Sequence, residues 1–115
     1  MTLTKVDAST WEDLVKNAKE PVLVCFSTHN CMPCRTIKPY LEDLVTDLEG
    51  VSVLVLQIED SMDLAKEHGV RAAPTLKIFI EGDSVATTVG SMSKKDLYEF
   101  VETRAANSSE PEQSP

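Results

Sequence analysis

The residues of this sequence with the clearest chemical potential are Cys31 and Cys34, which are separated by Met32 and Pro33. They follow the continuous apolar run at residues 21–26 and precede a long segment with helical spacing of apolar residues. At a helix N-terminus, free backbone N–H groups and the helix dipole lower the pKa of a cysteine and favour its thiolate. Two intervening residues place the sulfurs about one helical turn apart, close enough to form a disulfide. The spacing predicts dithiol-disulfide exchange, in which Cys31 attacks and Cys34 resolves the mixed disulfide.

Two other interpretations of the cysteine pair are a structural metal half-site and simple packing. A structural zinc site usually needs four ligands, and the other candidates are Cys25 within an apolar run, His29 and the distant His68. Packing is disfavoured because neither cysteine of the pair lies in an apolar run. The sequence therefore predicts a redox pair and no metal site.

The composition is that of an ordinary globular domain. The chain has 115 residues, of which 42% are hydrophobic and 26% are charged, as expected for one compact domain. Its formal net charge of -8 argues against a nucleic-acid partner, because binding to phosphates requires a basic face. The longest apolar runs are far shorter than the roughly 20 residues that span a bilayer. We therefore expect no nucleic-acid partner and no membrane insertion.

The N-terminal residues and the cysteine count bear on the cellular compartment. Residues 1–7 have neither the apolar core of a secretory signal nor the Arg-rich pattern of a transit peptide. Three cysteines are too few and too unevenly placed for the disulfide framework of a secreted protein. We therefore expect a cytoplasmic protein.

Apolar periodicity and turn residues predict alternating strands and helices. Residues 9–12 have the form of a capping box and predict a first helix that runs to about Ala18. Pro39 predicts a kink in the long helix. The other predicted elements are a buried strand at 21–26, a long helix from Cys34 closed by Gly50, a strand at 51–58, a short helix at 61–68 terminated by Gly69, a hairpin of 76–80 and 85–89 around a turn at 81–83, and a closing helix that starts at Ser93.

With one further strand implied before the first helix, these elements follow the order βαβαβα and then ββα. Such alternation implies a parallel sheet with right-handed crossovers, to which the final hairpin adds an antiparallel edge. We therefore predict an α/β fold with three layers, α/β/α. Residues 1–105 are assigned to one domain, and residues 106–115, rich in Ser, Glu and Pro, to a polar, disordered tail.

Several motifs together resemble those of the thioredoxin family over about residues 6–103. The first is the strand at 24–26 followed by Cys31-Met32-Pro33-Cys34-Arg35 and Pro39, which is similar to the active-site strand, redox motif and helix proline of the family. The second is the segment 69–75, in which Pro74 matches the cis-proline of the family. The turn at 81–83 and Gly90 also fall at family positions.

The resemblance implies a thioredoxin fold with a central five-stranded mixed sheet, and a thiol-disulfide oxidoreductase that reduces protein disulfides. It implies no bound cofactor other than the redox-active disulfide Cys31-Cys34. Partners would be protein disulfide substrates and a thioredoxin-reductase-like electron donor, and the protein would be a monomer. The implied substrate-binding residues are Met32, Pro33, Ala73, Pro74 and Gly90, with the backbone beside Pro74 pairing with an extended substrate segment.

The sequence also departs from the family pattern. Asn30 replaces the tryptophan that usually precedes the first cysteine, and the usual Gly-Pro pair is Met32-Pro33. The buried acidic residue that usually assists the resolving cysteine aligns with Cys25, and its accompanying lysine aligns with Val55. The proton relay of the family is therefore missing, and we expect slower deprotonation of Cys34 and weaker release of the mixed disulfide.

Two residues are further candidates for proton transfer or for modulation of the site. His29 is close enough to the motif to move a proton near neutral pH, although an exposed loop histidine is the simpler interpretation. Cys25 is a candidate third redox thiol, although a small apolar residue in a buried strand explains it more simply. Two alternatives to a general reductase stay open: a specialised or weakly active protein serving one dedicated partner, and a non-enzymatic binding module on the same fold.

Overall fold

The computed structural model describes residues 3–107. Five strands form one sheet in the order β1-β3-β2-β4-β5, in which β2 pairs in parallel with β3 and antiparallel with β4. The elements are β1 (Thr4–Lys5), a π-helical turn (Glu12–Lys16), β2 (Val22–Ser27), α1 (Met32–Asp47), β3 (Ser52–Gln57), α2 (Met62–Glu67), β4 (Thr75–Ile80), β5 (Asp83–Val89) and α3 (Lys94–Asn107). The predicted five-stranded mixed sheet with an antiparallel hairpin edge is confirmed.

Strand β2 lies at the centre of the sheet and is buried along its whole length. Its sequence is almost entirely apolar, as expected for a strand that is covered on both faces. Leu23 and Cys25 belong to the core on one face, while Val22, Val24 and Phe26 belong to the core on the other. The period-two alternation of strand side chains produces this division.

The two cores separate three layers, which confirms the predicted α/β/α architecture. On one face, α1 and α3 contribute Ile37, Leu41 and Leu97 to the core beside Leu23. On the other face, the π-helical turn and α2 contribute Val15 and Ala65, among other residues. The alternation within β2 therefore determines which helices share a face with Cys25.

Polar contacts also join α1 to α3. The ammonium of Lys94 lies 2.9 Å from a carboxylate oxygen of Asp43, and the hydroxyl of Tyr98 donates to Asp47 at 2.7 Å. The predicted start of the closing helix is confirmed, because the N–H of Asp96 donates to Oγ of Ser93 at 3.1 Å. That is the side-chain bond of a helix N-cap.

The prediction for the first helix was wrong in both its cap and its length. The N–H groups of Ser9 and Thr10 donate to Oδ1 of Asp7, so Asp7 organises this segment as an Asx turn and no capping box forms. The helical turn covers only Glu12–Lys16. It closes through the N–H of Asn17, which donates to the carbonyl of Glu12. Asp7, Ser9 and Thr10 each carry a side-chain oxygen in this short stretch, so the sequence pattern alone did not show which of them would accept the N–H groups.

Three other boundaries differ from the predictions. Helix α1 begins at Met32 rather than Cys34, and it ends at Asp47, so the helix stops before Gly50 and not at it. Gly50 has φ +80 in the turn that follows. Helix α3 continues to Asn107, two residues into the segment predicted as tail. Residues 108–115 lie outside the described residues.

The predicted end of the short helix agrees with the structure. Gly69, with φ +72, ends α2 as expected, since its N–H and that of Val70 donate to carbonyls of the last helical turn. Among residues 3–107, no helix has the length and apolar character needed to cross a membrane.

An aromatic cluster packs the π-helical turn onto the sheet. The rings of Trp11 and His68 have centroids 4.9 Å apart, and Phe79 meets both rings edge-on. Burial lowers the pKa of the His68 imidazole below its usual 6.5, with Glu67 opposing and Lys77 adding to the effect. The cluster therefore holds His68 in its neutral form.

We expect His68 to make the fold less stable on acidification. The unfolded chain takes up this proton near pH 6.5, whereas the folded protein takes it up only at lower pH. The free energy of unfolding therefore falls as the pH drops through 6.5 and levels off below the folded pKa. Urea denaturation of the wild type and of His68→Gln across this range measures the effect. A difference between the two proteins that does not change with pH would contradict it.

Candidate active site

The cysteine pair lies at the carboxyl end of β2, where α1 begins. Cys31 and Cys34 form a disulfide with their Cα atoms 5.2 Å apart. Cys31 is the N-cap of α1 in an extended conformation, and its Sγ accepts the N–H of Cys34 at 3.2 Å. Pro33 occupies the first turn, where its missing N–H costs no helical hydrogen bond. The sequence thus uses a cysteine where helices usually place Ser or Asp.

The two cysteines are similar in burial but differ in electrostatic environment. Their exposed fractions are 8% and 7%, so exposure does not distinguish them. Cys31 lies at the positive end of the helix dipole, receives a backbone N–H, and has no acidic side chain in the first turn beside it. Cys34 lies one turn inside the helix. A thiolate is therefore stabilised more at Cys31 than at Cys34.

Pro74 lies beside the end of β2. The Ala73-Pro74 peptide bond is cis, as the resemblance implied, and the alternative of an ordinary trans turn proline is excluded. Antiparallel pairing of β2 with β4 places Thr75 opposite Phe26, so Pro74 meets the strand end that leads to the redox motif. The N–H of Gly90 donates to the carbonyl of Pro74 at 2.8 Å. The structure therefore brings Pro74 and Gly90 together.

The remaining residues predicted to bind substrate lie at the surface of the same region. Met32 is 68% exposed, Pro33 is exposed, and Ala73 is half-buried. The guanidinium of Arg35 lies 3.6 Å from the sulfur of Met32. An exposed thioether beside the redox pair offers an adaptable apolar contact.

Comparisons with known proteins agree with this geometry. The thioredoxin family model matches residues 2–103. The chain is 39% identical to a thioredoxin of Pseudomonas aeruginosa over 84% of its own length and 89% of that protein. It is 41% identical to a thioredoxin of Rhodospirillum rubrum, again over 84% of the chain and 92% of the relative. Among solved structures, a mutant thioredoxin from Halobacterium salinarum NRC-1 matches with a TM-score of 0.81 and 28% identity over 89% of each chain.

The chain belongs to the thioredoxin family. It is a dithiol-disulfide oxidoreductase of the protein-disulfide class, and the Cys31-Cys34 disulfide is its redox centre. Within residues 3–107, no three His, Cys, Asp or Glu side chains are grouped to hold a metal ion.

At the position where the resemblance expects a buried acidic residue, this thioredoxin family member carries Cys25. Cys25 is 2% exposed and pairs with Val55 of the neighbouring strand. Burial raises the pKa of its thiol to about 12. An un-ionised thiol of this kind is a poor nucleophile and a poor base at neutral pH.

His29 makes its described polar contacts away from the cysteines. Its N–H donates to Oε2 of Glu59 at 3.0 Å, and its Nε2 lies 4.0 Å from carboxylate oxygens of Glu59 and Asp60. These contacts fix the loop before the motif against the turn after β3. Among the described residues, no hydrogen bond or ion pair connects His29 to Cys31 or Cys34.

Sequence reasoning missed the polar residues around the inner cysteine. A cavity of about 50 Å³ lies against Cys34, and its polar lining includes Ser27, Lys38 and Gln57. Two simple patterns could have revealed it. Lys38 is four residues after Cys34 on the same helix face. Ser27 and Gln57 are directly paired in the parallel register of β2 and β3.

We expect Cys25 to be inert toward thiol reagents in the folded protein, because burial and a pKa of about 12 leave almost no accessible thiolate at neutral pH. After reduction, Cys31 should react fastest with iodoacetamide in the native state and Cys34 more slowly, whereas Cys25 should react only in denaturant, as counted by intact mass. The Cys25→Ala variant should give two thiols in both states. A third native thiol that reacts as fast as the first two would contradict this expectation.

Proposed function

We propose that this protein reduces disulfides in other proteins, with Cys31 as the attacking nucleophile and Cys34 as the resolving thiol. The observation that carries the proposal is the position of Cys31 as the N-cap of α1, with its Sγ accepting the N–H of Cys34. The same contact that starts the helix stabilises negative charge on this sulfur.

The reaction proceeds in two exchanges. The Cys31 thiolate attacks one sulfur of the substrate disulfide, which forms a mixed disulfide and releases the other substrate sulfur as a thiolate. Cys34 then loses its proton and attacks Cys31 Sγ, which releases the second substrate thiolate. Two electrons pass from the cysteine pair to the substrate, and the protein is left with the Cys31-Cys34 disulfide.

The substrate lies along the surface formed by Met32, Pro33, Ala73, Pro74 and Gly90. The carbonyl of Pro74 already accepts the N–H of Gly90, so the half-buried Ala73 offers the nearest backbone for pairing with an extended substrate segment. Met32 contributes adaptable apolar contact. The backbone at Ala73 thus sets the direction of the bound substrate segment, and the flexible Met32 side chain accommodates different substrate side chains.

The partners and location follow from the same reaction. A thioredoxin-reductase-like protein or a small thiol returns two electrons to the Cys31-Cys34 disulfide. The protein works as a monomer in the cytoplasm, where such donors keep thiols reduced. The net charge of -8 supports a role without nucleic-acid or membrane binding.

We expect the protein to catalyse dithiothreitol-dependent reduction of insulin, which is followed as the turbidity of the precipitating chains. Cys31→Ser should lower the rate to that of dithiothreitol alone, because the attacking sulfur is lost. Cys25→Ser is the matched control and should retain turnover, because the native thiol at that position is buried. Turnover that persists in Cys31→Ser would overturn the assignment of the nucleophile.

Trapping with Cys34→Ser separates the two roles. This variant should accumulate mixed disulfides on Cys31 that dithiothreitol releases, because the resolving thiol is absent. If the wild type fails to reduce insulin and yet the variant traps a single protein, the second candidate function holds.

That second candidate is a specialised reductase serving one dedicated partner. It is favoured by Cys25 and Val55, which pair across β2 and β3 where the resemblance expects an acidic residue and a lysine. Asn30 in place of the usual tryptophan also changes the surface beside Cys31. A slow general reductase can still be efficient when one partner supplies additional binding energy. A binding module without turnover would show neither insulin reduction nor trapping.

We expect Cys25→Asp to accelerate release of the mixed disulfide, because Cys25 and Cys34 line the same cavity and a carboxylate there can accept the Cys34 proton. The expected gain at neutral pH is about tenfold or more. Stopped-flow measurement of the release of a chromogenic leaving thiol gives the rate. Cys25→Asn, of nearly equal size but not basic, is the matched control. Equal rates for Asp and Asn would show that the missing acid does not limit release.

A further inference from the structure

The cavity beside Cys34 is built from three elements. Its lining residues are Cys25 and Ser27 of β2, Cys34, Lys38 and Leu41 of α1, and Val55 and Gln57 of β3. The four strand residues are neighbours on two adjacent strands, because Cys25 pairs with Val55 and Ser27 pairs with Gln57. Cys34, Lys38 and Leu41 are spaced four and three residues apart, so they lie on one face of α1. The fold therefore places the resolving cysteine beside a small cavity with both polar and apolar lining residues, here called the chamber.

Gln57 has an unpaired polar atom in this part of the fold. Its Oε1 is buried, and no described residue donates a hydrogen bond to it. Leaving a buried amide oxygen unpaired destabilises the folded protein. A cavity of about 50 Å³ exceeds the roughly 10–15 Å³ that one water needs, and buried waters bind where several polar groups converge. Gln57, Ser27 and the thiol of Cys34 supply such groups.

Lys38 is the one charged residue in the lining of this cavity. It is exposed overall and yet borders the chamber, as a long side chain does when its stem lies on apolar surface and its ammonium reaches solvent. A positive charge close to a thiol favours the thiolate. Lys38 therefore lies where the chamber meets solvent, and its positive charge favours the thiolate of Cys34 that the resolving step requires.

We infer that Gln57 and Lys38 are positioning residues for the deprotonation of Cys34, in place of the acid and lysine that the resemblance expects at positions 25 and 55. Gln57 Oε1 holds a water in the chamber, and this water accepts the proton of the Cys34 thiol and passes it to bulk solvent. The Lys38 ammonium stabilises the resulting thiolate, which then attacks Cys31 Sγ. The inference rests on the proposed role of Cys34 as the resolving thiol.

Charged groups on the far side of Gln57 complete the surroundings. Val55 and Gln57 also border a second space of about 70 Å³, together with Lys5, Asp7 and Asp60. Facing Cys34 itself, β2 contributes only the thiol of Cys25 as a titratable group, and β3 contributes none. Lys38 is thus the charged residue among those that line the cavity beside Cys34, while Asp7 and Asp60 border the second space.

The test measures the ionisation of Cys34 directly, in a Cys31→Ser background, by thiolate absorbance and alkylation rate against pH. Cys25 does not interfere, because its pKa is about 12. The pKa of Cys34 should be unchanged in Lys38→Arg, higher in Lys38→Met and highest in Lys38→Glu. Each unit corresponds to a tenfold smaller thiolate fraction at neutral pH. Lys95→Met, an exposed lysine on α3, is the matched control and should have no effect.

Gln57→Leu should also raise the Cys34 pKa and slow release of the mixed disulfide by about three- to tenfold, because the water loses its acceptor. A merely structural role would not give this result, since leucine removes an unpaired polar atom and should preserve or raise the melting temperature. The inference is overturned if the Lys38 series shows no ordering by charge, or if Gln57→Leu leaves the titration of Cys34 unchanged. The titration requires no turnover, so it is independent of whether insulin reduction succeeds.

Discussion

The burial of β2 is the constraint on which the rest of this structure depends. The strand pairs with β3 on one edge and with β4 on the other, and helices cover both faces. Residues 22–26 pair with both neighbouring strands, and their side chains pack into one core or the other. After Ser27 the chain leaves the sheet, and it is exposed at His29 and Asn30, directly before Cys31. Residues at the carboxyl end of a buried strand are held in place by the sheet and remain accessible to a substrate from solvent.

Helix geometry makes the two cysteines different, although they are buried to a similar extent. Cys31 caps α1 and receives a backbone N–H, while Cys34 lies one turn later on the face that packs against β2 and β3. The first position favours a thiolate, whereas the second gains no such stabilisation from the start of the helix. This difference supports the proposed division into an attacking sulfur at Cys31 and a resolving sulfur at Cys34.

The parts of the fold that depend on long apolar patterns could be predicted from the sequence. The central strand, the long helix, the hairpin and the three layers follow from runs and periodicities that only one packing satisfies. The cap of the first helix could not, because Asp7, Ser9 and Thr10 offer competing acceptors within one turn. Gln57 was missed because its role depends on parallel register with Ser27, a contact 30 residues away along the chain. Local sequence does not specify which strands become neighbours.

Cys25 stands where the resemblance expects a buried acid. A thiol at this position gives Cys34 no proton acceptor, but it avoids the cost of burying a charge in the core. A carboxylate at this depth must either pay for desolvation or remain protonated, whereas a thiol with a pKa of about 12 stays neutral at no such cost. The need to remove a proton from Cys34 persists, and only groups outside the hydrophobic layer can meet it without a large desolvation penalty. Lys38 keeps its charge near solvent, and Gln57 is polar without being ionised. With Cys25 in the centre of β2, the core holds no buried charge at this position. The polar groups that assist Cys34 are instead Lys38 and Gln57, at the edge of the chamber.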